Sequence, residues 1–163
     1  MEIDVREATA DDIDSICSVN HESITQSGHQ SYSTEQVSAW ANAVTPELYP
    51  IDAEDTYFLV AERNKRIVAI GWMKVTSDDT SVDGEITGIY VGPETAKQGV
   101  GTQIYNELES KANKQNMNSL GLWASLNAVG FYEKQGYTRV TDQTLEYPDD
   151  IELRVIEMRK QLD

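Results

Sequence analysis

The chain has 163 residues, of which 39% are hydrophobic and 25% are charged, and this composition predicts one globular domain, residues 1–163, with a substantial core. Thirteen Lys and Arg stand against 28 Asp and Glu, so the net charge of -15 disfavours nucleic acid and anionic membranes as partners. No apolar run approaches the ~20 residues of a membrane span. The acidic start lacks the blocks of a signal peptide, and the lone Cys17 excludes a disulfide framework and a cysteine metal cluster. We therefore expect a cytoplasmic protein without a metal site.

The N-terminal part of the chain predicts one strand followed by two helices. The run "IDVREA" alternates as a strand does, and Thr9 and Asp12 after it have the spacing of a capping box. One face of the first helix carries Ile13, Ile16, Cys17, Asn20 and Ile24. The run "STEQVSAWANAV" predicts a second helix, with a capping box at Ser33 and Gln36 and an end before Pro46.

The middle of the chain predicts three strands. "TYFLVAERNKRIVAIGWMKV" is a hairpin of two β-rich runs joined by a polar turn at Asn64 and Lys65. The segment "TSDDTSVDG" is a loop, and "EITGIYV" is the next strand. Strict alternation in that strand puts Glu85, Thr87 and Ile89 on one face and Ile86, Gly88 and Tyr90 on the other.

The C-terminal half predicts two more helices and three more strands. Val100, Ile104, Leu108 and Ala112 recur at helical spacing. "SLGLWAS" is a strand, and "NAVGFYEKQG" is a short helix that is capped by Asn127 and closed by Gly136. "YTRV" and "IELRVIEM" are the last strands. The order β-α-α-β-β-β-α-β-α-β-β predicts an α/β fold in which helices pack on a mixed sheet.

The stretch "AKQGVGTQIY" places two glycines directly before an amphipathic helix. A helix N-terminus leaves its first N–H groups unpaired, and glycine lets a phosphate approach them closely. Gln98 to Thr102 meet both conditions, and Thr102 adds a hydroxyl. Lys97 precedes the turn, and Lys111 and Lys114 follow on the helix. The stretch therefore predicts either a phosphate site or an ordinary strand-to-helix turn.

Two better-known phosphate loops do not fit this stretch. The nucleoside-triphosphate loop requires a lysine after its last glycine, and here Gly101 is followed by Thr102. The dinucleotide fingerprint requires a third glycine where Ile104 stands, and an early strand.

A second group of residues lies at a characteristic distance after the glycine stretch. "LWASLNAVGFYEKQGY" puts Ser125 and Asn127 just past a strand end and Phe131 and Tyr132 on the next helix. Together with "EITGIYVGPETAKQGVGTQIY" it strongly resembles the GNAT superfamily of N-acetyltransferases, over nearly the whole chain. The resemblance implies a mixed, mostly antiparallel sheet of about seven strands with about four helices. One position departs from the family: Ala96 stands where Gln or Arg is usual, three residues before the first loop glycine.

The resemblance implies that acetyl-CoA lies between two parallel strands that diverge, "GIYV" and "LWAS". Backbone groups around Ile89, Tyr90 and Val91 would pair with the pantetheine arm, as a strand would. The pyrophosphate would meet the N–H groups of Gln98, Gly99, Val100, Gly101 and Thr102. Asn127 would touch the pantetheine, cap its helix, or do both.

The resemblance also implies direct attack of a neutral amine on the thioester. An alkyl amine with a pKa near ~10.4 loses its proton at a cost of about 4–5 kcal/mol at pH 7, and a carboxylate can accept that proton. Glu85 is the predicted base, with a solvated strand-end carboxylate as the alternative, and Thr87 can relay a proton. Tyr132 matches the family's general acid for the departing thiolate, with a packing tyrosine as the alternative.

Other conspicuous residues are assigned to structure. His21 and His29 are predicted to be exposed, although residues 26–34 could line the amine pocket. Phe131 is more consistent with the core than with the site, and Cys17 is predicted to be buried. Trp40, Trp72 and Trp123 are predicted to pack in the core, whereas Tyr32 and Trp72 could border the substrate.

The predicted function is acetyl transfer from acetyl-CoA to a primary amine of a small molecule or peptide. The alternative is a non-catalytic module that binds or senses acyl-CoA. An RNA-directed acetyltransferase is disfavoured, because its partner requires a basic surface. The segments that select the acceptor, "NHESITQSGHQSYSTEQ" and "TDQTLEYPDD", contain no recognisable motif, and both a monomer and a homodimer remain open.

Two explanations of the acidic charge remain open. Acids such as Glu22, Glu146, Asp149 and Asp150 could attract a cationic amine. Alternatively, the whole surface is adapted to a salt-rich, halophilic cytoplasm, which the even spread of acids along the chain favours. At molar salt the screening length falls to about 3 Å, so steering would matter little there.

Overall fold

The computed structural model describes residues 2–76 and 81–162, with seven strands and four helices. The strands are β1 Asp4–Glu7, β2 Thr56–Arg63, β3 Arg66–Val75, β4 Gly84–Val91, β5 Ser119–Ser125, β6 Thr138–Tyr147 and β7 Ile151–Gln161. The helices are α1 Ile13–Ser27, α2 Thr34–Asn42, α3 Val100–Lys114 and α4 Val129–Lys134. The predicted element order is confirmed; part of the predicted loop "TSDDTSVDG", residues 77–80, lies outside the described ranges.

The strands form one sheet in the order β1-β2-β3-β4-β5-β7-β6. β4 and β5 run parallel, and every other neighbouring pair is antiparallel. This confirms the prediction of a mixed, mostly antiparallel sheet. The single parallel pair at the centre is the feature that positions the site, because parallel neighbours need a crossover and α3 supplies it.

Helices cover both faces of the sheet. Ile16 of α1 packs with β2 and β3 residues such as Phe58 and Ile70 on one face. Ile104 of α3 and Val129 of α4 belong to the core cluster on the other face. Both predicted capping boxes are present, the first before a 3₁₀ turn at Ala10–Asp12 that leads into α1, and the second at the start of α2. Each box satisfies backbone N–H groups that the helical ladder leaves unpaired.

Gly71 lets α3 lie close to the sheet. A Cβ on Gly71 would stand 2.5 Å from Cγ2 of Ile104 and 3.2 Å from Cγ1 of Ile89. Any side chain here would push α3 outward. The helix N-terminus is thereby held near the central strands β3 and β4.

A β-bulge changes the predicted alternation of β4. The register against β3 skips Thr87. Ile86 and Ile89 consequently pack on the same core cluster, whereas Tyr90 packs on the opposite side of the sheet. The prediction that Ile86 and Ile89 face opposite sides is wrong, because two-residue alternation fails where an extra residue is inserted.

β6 is longer than predicted. The run "YTRV" predicts a short strand, but β6 continues to Tyr147 and forms a hairpin with β7. Its turn contains Asp149 and Asp150, both with positive φ. β6 lies at the edge of the sheet and is largely exposed on both faces, so it lacks the apolar alternation that marks a half-buried strand.

Two further predictions about single residues need correction. Trp123 is 47% exposed on β5 and is not a core residue, unlike Trp72, which is buried. Cys17 is only partly buried. Within the described ranges, no helix is both long and apolar enough to cross a membrane.

Candidate functional site

The parallel strands β4 and β5 separate after only two paired positions. Gly84 pairs with Leu120 and Glu85 with Gly121, and beyond these pairs the two strands are no longer bonded to each other. On its other edge β4 remains paired with β3 as far as Val91. The β4 backbone from Ile89 to Val91 therefore has one edge bonded and the other facing a gap. An extended chain with amide groups can pair with such an edge.

The N-terminus of α3 presents backbone donors beside this gap. Gly99 has φ of +81°, a left-handed conformation that favours glycine, and it is the residue that precedes the helix. The N–H groups of Gly99, Val100, Gly101 and Thr102 have no protein acceptor among the described residues. Four free donors at a helix N-terminus, with the positive end of the helix dipole, are groups to which an anion can bind.

Gln98 differs from the four residues that follow it. Its N–H donates to the carbonyl oxygen of Thr95 at 3.3 Å, so this donor is used within the turn. Its side-chain Nε2 donates to the carbonyl oxygen of Glu94, and its Oε1 accepts a hydrogen bond from Arg63. Gln98 thus holds the shape of the loop.

Lys111 and Lys114 lie at the far end of α3 from the glycine turn. They stand in the last turn of the helix, about 16–21 Å along the axis from its start. Nζ of Lys111 lies 3.7 Å from Oε1 of Glu7 and 5.5 Å from the ring centre of Tyr57. These lysines do not contribute to an anion site at the N-terminus.

A cavity of about 270 Å³ joins the α3 N-terminus to the gap between β4 and β5. Its lining includes Val91, Lys97, Gly101, Asn127, Phe131 and Tyr132. Gly101 has no room for a larger residue without adjustment, since a Cβ would lie 3.3 Å from Cγ2 of Val91 and 3.4 Å from Phe131. We call this space the loop cavity.

Asn127 contributes a buried acceptor to the loop cavity. Its Oδ1 is buried and has no hydrogen-bond partner in the part of the chain that the structure describes. The prediction that Asn127 caps the next helix is wrong: α4 begins after Ala128, and no side chain caps it. A buried carbonyl oxygen without a partner is costly, so its position beside the cavity indicates a ligand that donates to it.

A second cavity, of about 370 Å³, is also lined by Tyr132, and we call it the inner cavity. Its lining includes Asn20, Trp72, Glu85, Thr87, Tyr90 and Trp123. Six of the described residues line both cavities, so the two spaces adjoin where β4 and β5 separate: Trp40, Ile89, Tyr90, Ser125, Ala128 and Tyr132. The structure thus brings the predicted residues Glu85 and Tyr132 to one cavity.

Tyr132 is a buried phenol at this junction. It is 5% exposed, and burial raises its pKa far above the usual value for tyrosine; the nearby hydroxyls of Tyr90 and Tyr137 raise it further, and the Ile89 backbone opposes the shift. Its ring packs edge-on against Phe131 and Tyr137. The hydroxyl is therefore held in place and remains protonated at neutral pH.

Two residues near the site behave differently from their sequence interpretation. Tyr32 is buried, and its hydroxyl donates to the carbonyl oxygen of Arg154 at 2.6 Å and accepts from the N–H of Leu126 at 3.0 Å, so it connects the segment before α2 to β7. Asn20 lines the inner cavity, a role that the sequence interpretation missed. The available signal was a polar side chain on the apolar face of α1.

Comparison with protein families and curated proteins gives consistent matches. The model of an acetyltransferase (GNAT) domain matches residues 29–162. The uncharacterised N-acetyltransferase YafP of Escherichia coli (strain K12) is 25% identical over 144 residues, which are 88% of this chain and 87% of that protein. The uncharacterised N-acetyltransferase ycf52 of Gracilaria tenuistipitata var. liui is 30% identical over 87 residues, or 53% of this chain and only 46% of that protein.

Solved structures have the same fold. A GCN5-related N-acetyltransferase from Rhodopseudomonas palustris superposes with a TM-score of 0.84 and 26% identity, covering 99% of this chain and 97% of that one. The PaiA N-acetyltransferase of Thermoplasma acidophilum, solved in complex with coenzyme A, superposes with a TM-score of 0.75 and 20% identity. The match covers 99% of this chain and 100% of that one. Because the family model spans most of the sequence, the chain belongs to the GNAT acetyltransferase family.

Proposed function

We propose that this protein is an N-acetyltransferase that takes an acetyl group from acetyl-CoA and transfers it to a primary amine of a small molecule or peptide by direct attack. The observation that carries the proposal is the set of four unpaired backbone donors, Gly99 to Thr102, of which Gly101 lines the loop cavity. Such donors suit a diphosphate. The coenzyme A complex of the PaiA relative supports the same ligand class.

The residues around the loop cavity fit coenzyme A along its length. The α3 N-terminus would hold the pyrophosphate, and Lys97, which lines the cavity, adds a positive charge. The open edge of β4 from Ile89 to Val91 would pair with the amides of the pantetheine arm. Asn127 Oδ1 would accept a hydrogen bond from one of those amides, which removes the cost of its burial without a partner.

Acetyl-CoA supplies the electrophilic thioester carbon and the thiol leaving group. We assign the general base to Glu85, because it lines the inner cavity and is the sole charged residue among those described around it. An ammonium ion must lose its proton before it can attack, at a cost of about 4–5 kcal/mol at pH 7, and a carboxylate can take that proton directly or through water. Thr87 lines the same cavity and can hold the amine or a bridging water.

Tyr132 is assigned to the departing sulfur. Its raised pKa lies well above the ~8.5 of an alkyl thiol, so complete transfer of the phenol proton to a thiolate is uphill. The phenol is better suited to donate a hydrogen bond to sulfur as negative charge develops there. A fixed donor in a buried site provides this stabilisation without reorganising at the moment of reaction.

Two measurements test the proposal in sequence. Calorimetric titration of the full chain with coenzyme A, at low and at molar salt, should give saturable heat, and no heat in either condition contradicts coenzyme A binding. Release of free thiol from acetyl-CoA is then measured with a panel of primary amines. Binding without thiol release for any amine would support the alternative, a non-catalytic acyl-CoA-binding module.

A further inference from the structure

The inner cavity has an unusual lining for a site that receives a charged acceptor. Three large aromatic side chains, Trp40, Trp72 and Tyr90, line it. They pack against one another, with ring centres 6.1 Å apart for Trp72 and Tyr90 and 6.5 Å apart for Trp40 and Tyr90. The volume of about 370 Å³ lies in the range of pockets for small molecules. Trp40 and Tyr90 also line the loop cavity, whereas Trp72 lines the inner cavity alone of these two spaces, and the three rings together suit contact with an apolar group.

The charge of the cavity lining is equally restrictive. Glu85 is charged, and no Lys, Arg or His is among the described residues that line the space. A carboxylate or phosphate on the acceptor would therefore meet no counter-ion among these residues and would be repelled by Glu85. The lining accepts a positively charged amine and disfavours any anionic substituent.

Asn20 adds one polar group to the cavity. It is 1% exposed, and its Nδ2 donates to the hydroxyl of Tyr49 at 2.9 Å, which fixes the amide in place. Its Oδ1 is buried and has no partner among the residues described. A ligand hydroxyl or N–H that donates to Oδ1 would satisfy an acceptor that is otherwise left unpaired.

Two of the side chains that line the inner cavity are apolar and exposed to solvent. Trp123 lines the same cavity and is 47% exposed, and Leu48, 48% exposed, lines it from the loop after α2. Both are large apolar side chains left in contact with solvent where an apolar ligand would cover them. Val140 on β6 is 46% exposed but does not line the cavity, so it offers a matched comparison.

We infer that the acceptor is a primary amine carried on an apolar, ring-sized group, without an anionic substituent and with a hydrogen-bond donor that reaches Asn20. This inference rests on the proposed function and specifies its acceptor class. Arylalkylamines with a hydroxyl on the ring are the simplest members of that class. Free amino acids and polyamines lie outside it, the first for their carboxylate and the second for lacking an apolar body.

The test compares four amines with the full chain and acetyl-CoA: phenethylamine, tyramine, phenylalanine and spermidine. We expect kcat/KM for phenethylamine to exceed that for phenylalanine by at least about 100-fold, because only the latter brings a carboxylate beside Glu85 without a counter-ion. The value of kcat/KM for tyramine should exceed that for phenethylamine by about fivefold to tenfold, because the tyramine hydroxyl can donate a hydrogen bond to Asn20. Phenylalanine or spermidine performing as well as the arylalkylamines would overturn the inference.

Variants test the two named residues. In Asn20→Leu the ratio of kcat/KM for tyramine to that for phenethylamine should fall to about one; since both amines are measured on the same sample, loss of folded protein cancels. Ile16→Val, a buried change on the same helix outside the cavity lining, should keep the wild-type ratio. Trp123→Ala should raise KM for both amines about fivefold or more, whereas Val140→Ala should not. A ratio unchanged by Asn20→Leu contradicts the role of Asn20.

Failure of this inference differs from failure of the proposed function. No thiol release with any amine removes the acetyltransferase assignment. In that case tryptophan fluorescence is titrated with tyramine and with phenylalanine in the absence of acetyl-CoA. If quenching saturates at a tyramine concentration at least tenfold below the phenylalanine concentration that is needed, the result supports the acceptor class. Saturation at equal concentrations, or no quenching with either amine, overturns it.

Discussion

Tyr132 on α4 reaches the backbone of Ile89 on β4, in the gap that opens where β4 and β5 separate. Both residues line both cavities, as four other described residues do, so the two residues lie where the space beside the glycine turn adjoins the space that contains Glu85. A thioester held along the β4 edge would end at this boundary. The catalytic assignments depend on this one junction.

Replacing Tyr132 by Phe should slow turnover without preventing coenzyme A binding. We expect kcat to fall by about 100-fold, because a fixed donor to the departing sulfur is lost, while Kd for coenzyme A changes by about twofold or less. Thiol release and calorimetry measure the two quantities.

The matched control for this variant is Tyr105→Phe. Tyr105 is also buried, and its hydroxyl lies 3.1 Å from that of Tyr137, but it lines neither the inner cavity nor the loop cavity. Its loss should reduce the free energy of unfolding by about 1 kcal/mol and leave kcat unchanged. Equal loss of kcat in both variants would mean that Tyr132 acts through packing.

Glu85→Gln should lower kcat/KM at neutral pH, and the deficit should shrink as pH rises. The variant cannot accept a proton, but the amine becomes increasingly neutral as pH approaches its own pKa of ~10.4. A pH profile of thiol release with one amine, for wild type and variant, measures this. A deficit that is constant across pH would indicate that Glu85 binds the ammonium group and does not act as base.

Gly99→Ala should weaken both the fold and coenzyme A binding. Its φ of +81° costs an L-residue about 1 kcal/mol, although no atom lies within 4 Å of the added Cβ. Relief of this strain would turn the first donors away from their present direction, and we expect Kd for coenzyme A to rise about tenfold.

Gly130→Ala is the control for backbone strain. Gly130 lies inside α4, and its added Cβ also meets nothing within 4 Å. Without a positive φ, this substitution should raise the free energy of unfolding by up to about 1 kcal/mol. Urea denaturation of both variants gives the comparison, and identical effects would show that the conformation of Gly99 is unimportant.

Asn127→Ala should separate binding from stability. Because Oδ1 is buried without a partner and caps no helix, its removal should leave the free energy of unfolding within about 0.5 kcal/mol of wild type or above it. Coenzyme A affinity should fall about threefold to tenfold. Ser33→Ala should lower the free energy of unfolding by about 1 kcal/mol and leave coenzyme A affinity unchanged, because Ser33 accepts a hydrogen bond from the N–H of Gln36 and caps α2.

The carboxylate of Asp12 should make the free energy of unfolding depend on pH in the acidic range. Two hydrogen bonds from Arg6, at 2.8 and 2.9 Å, lower the pKa of Asp12 to about 2; burial opposes this shift and the N–H of Thr9 assists it. The ionised form is therefore favoured in the folded state. This contribution is fully present above about pH 4 and is lost as pH falls toward 2.

Asp12→Asn measures that contribution. Because the Arg6 side chain is 37% exposed, solvent screening reduces it, and we expect the variant to lose about 1–2 kcal/mol at pH 7. The difference in the free energy of unfolding between the variant and the wild type should become smaller below pH 4. Asp14→Asn, at an exposed position two residues away, is the control. A difference that persists undiminished at pH 2 contradicts an electrostatic origin.

Much of this architecture could be read from local sequence patterns. Both capping boxes, the hairpin turn at Asn64 and Lys65 and the apolar face of α3 depend on neighbours within a few residues, and the structure has all of them. The left-handed conformation of Gly99 was not predicted, although glycine permits it without steric cost. Local chemistry therefore determined the elements and the donor-rich turn.

Only the tertiary structure decided which segments distant in sequence contact one another. The β-bulge at Thr87 reverses the face of Ile89, and nothing in "EITGIYV" marks it, because a bulge depends on the register with β3. Asn20 became a cavity residue, and Trp123 became exposed, through the placement of α1 and β5 around the gap. Periodicity reports which side chains share a face of one element, whereas a pocket is formed by faces of several elements whose separation only packing fixes.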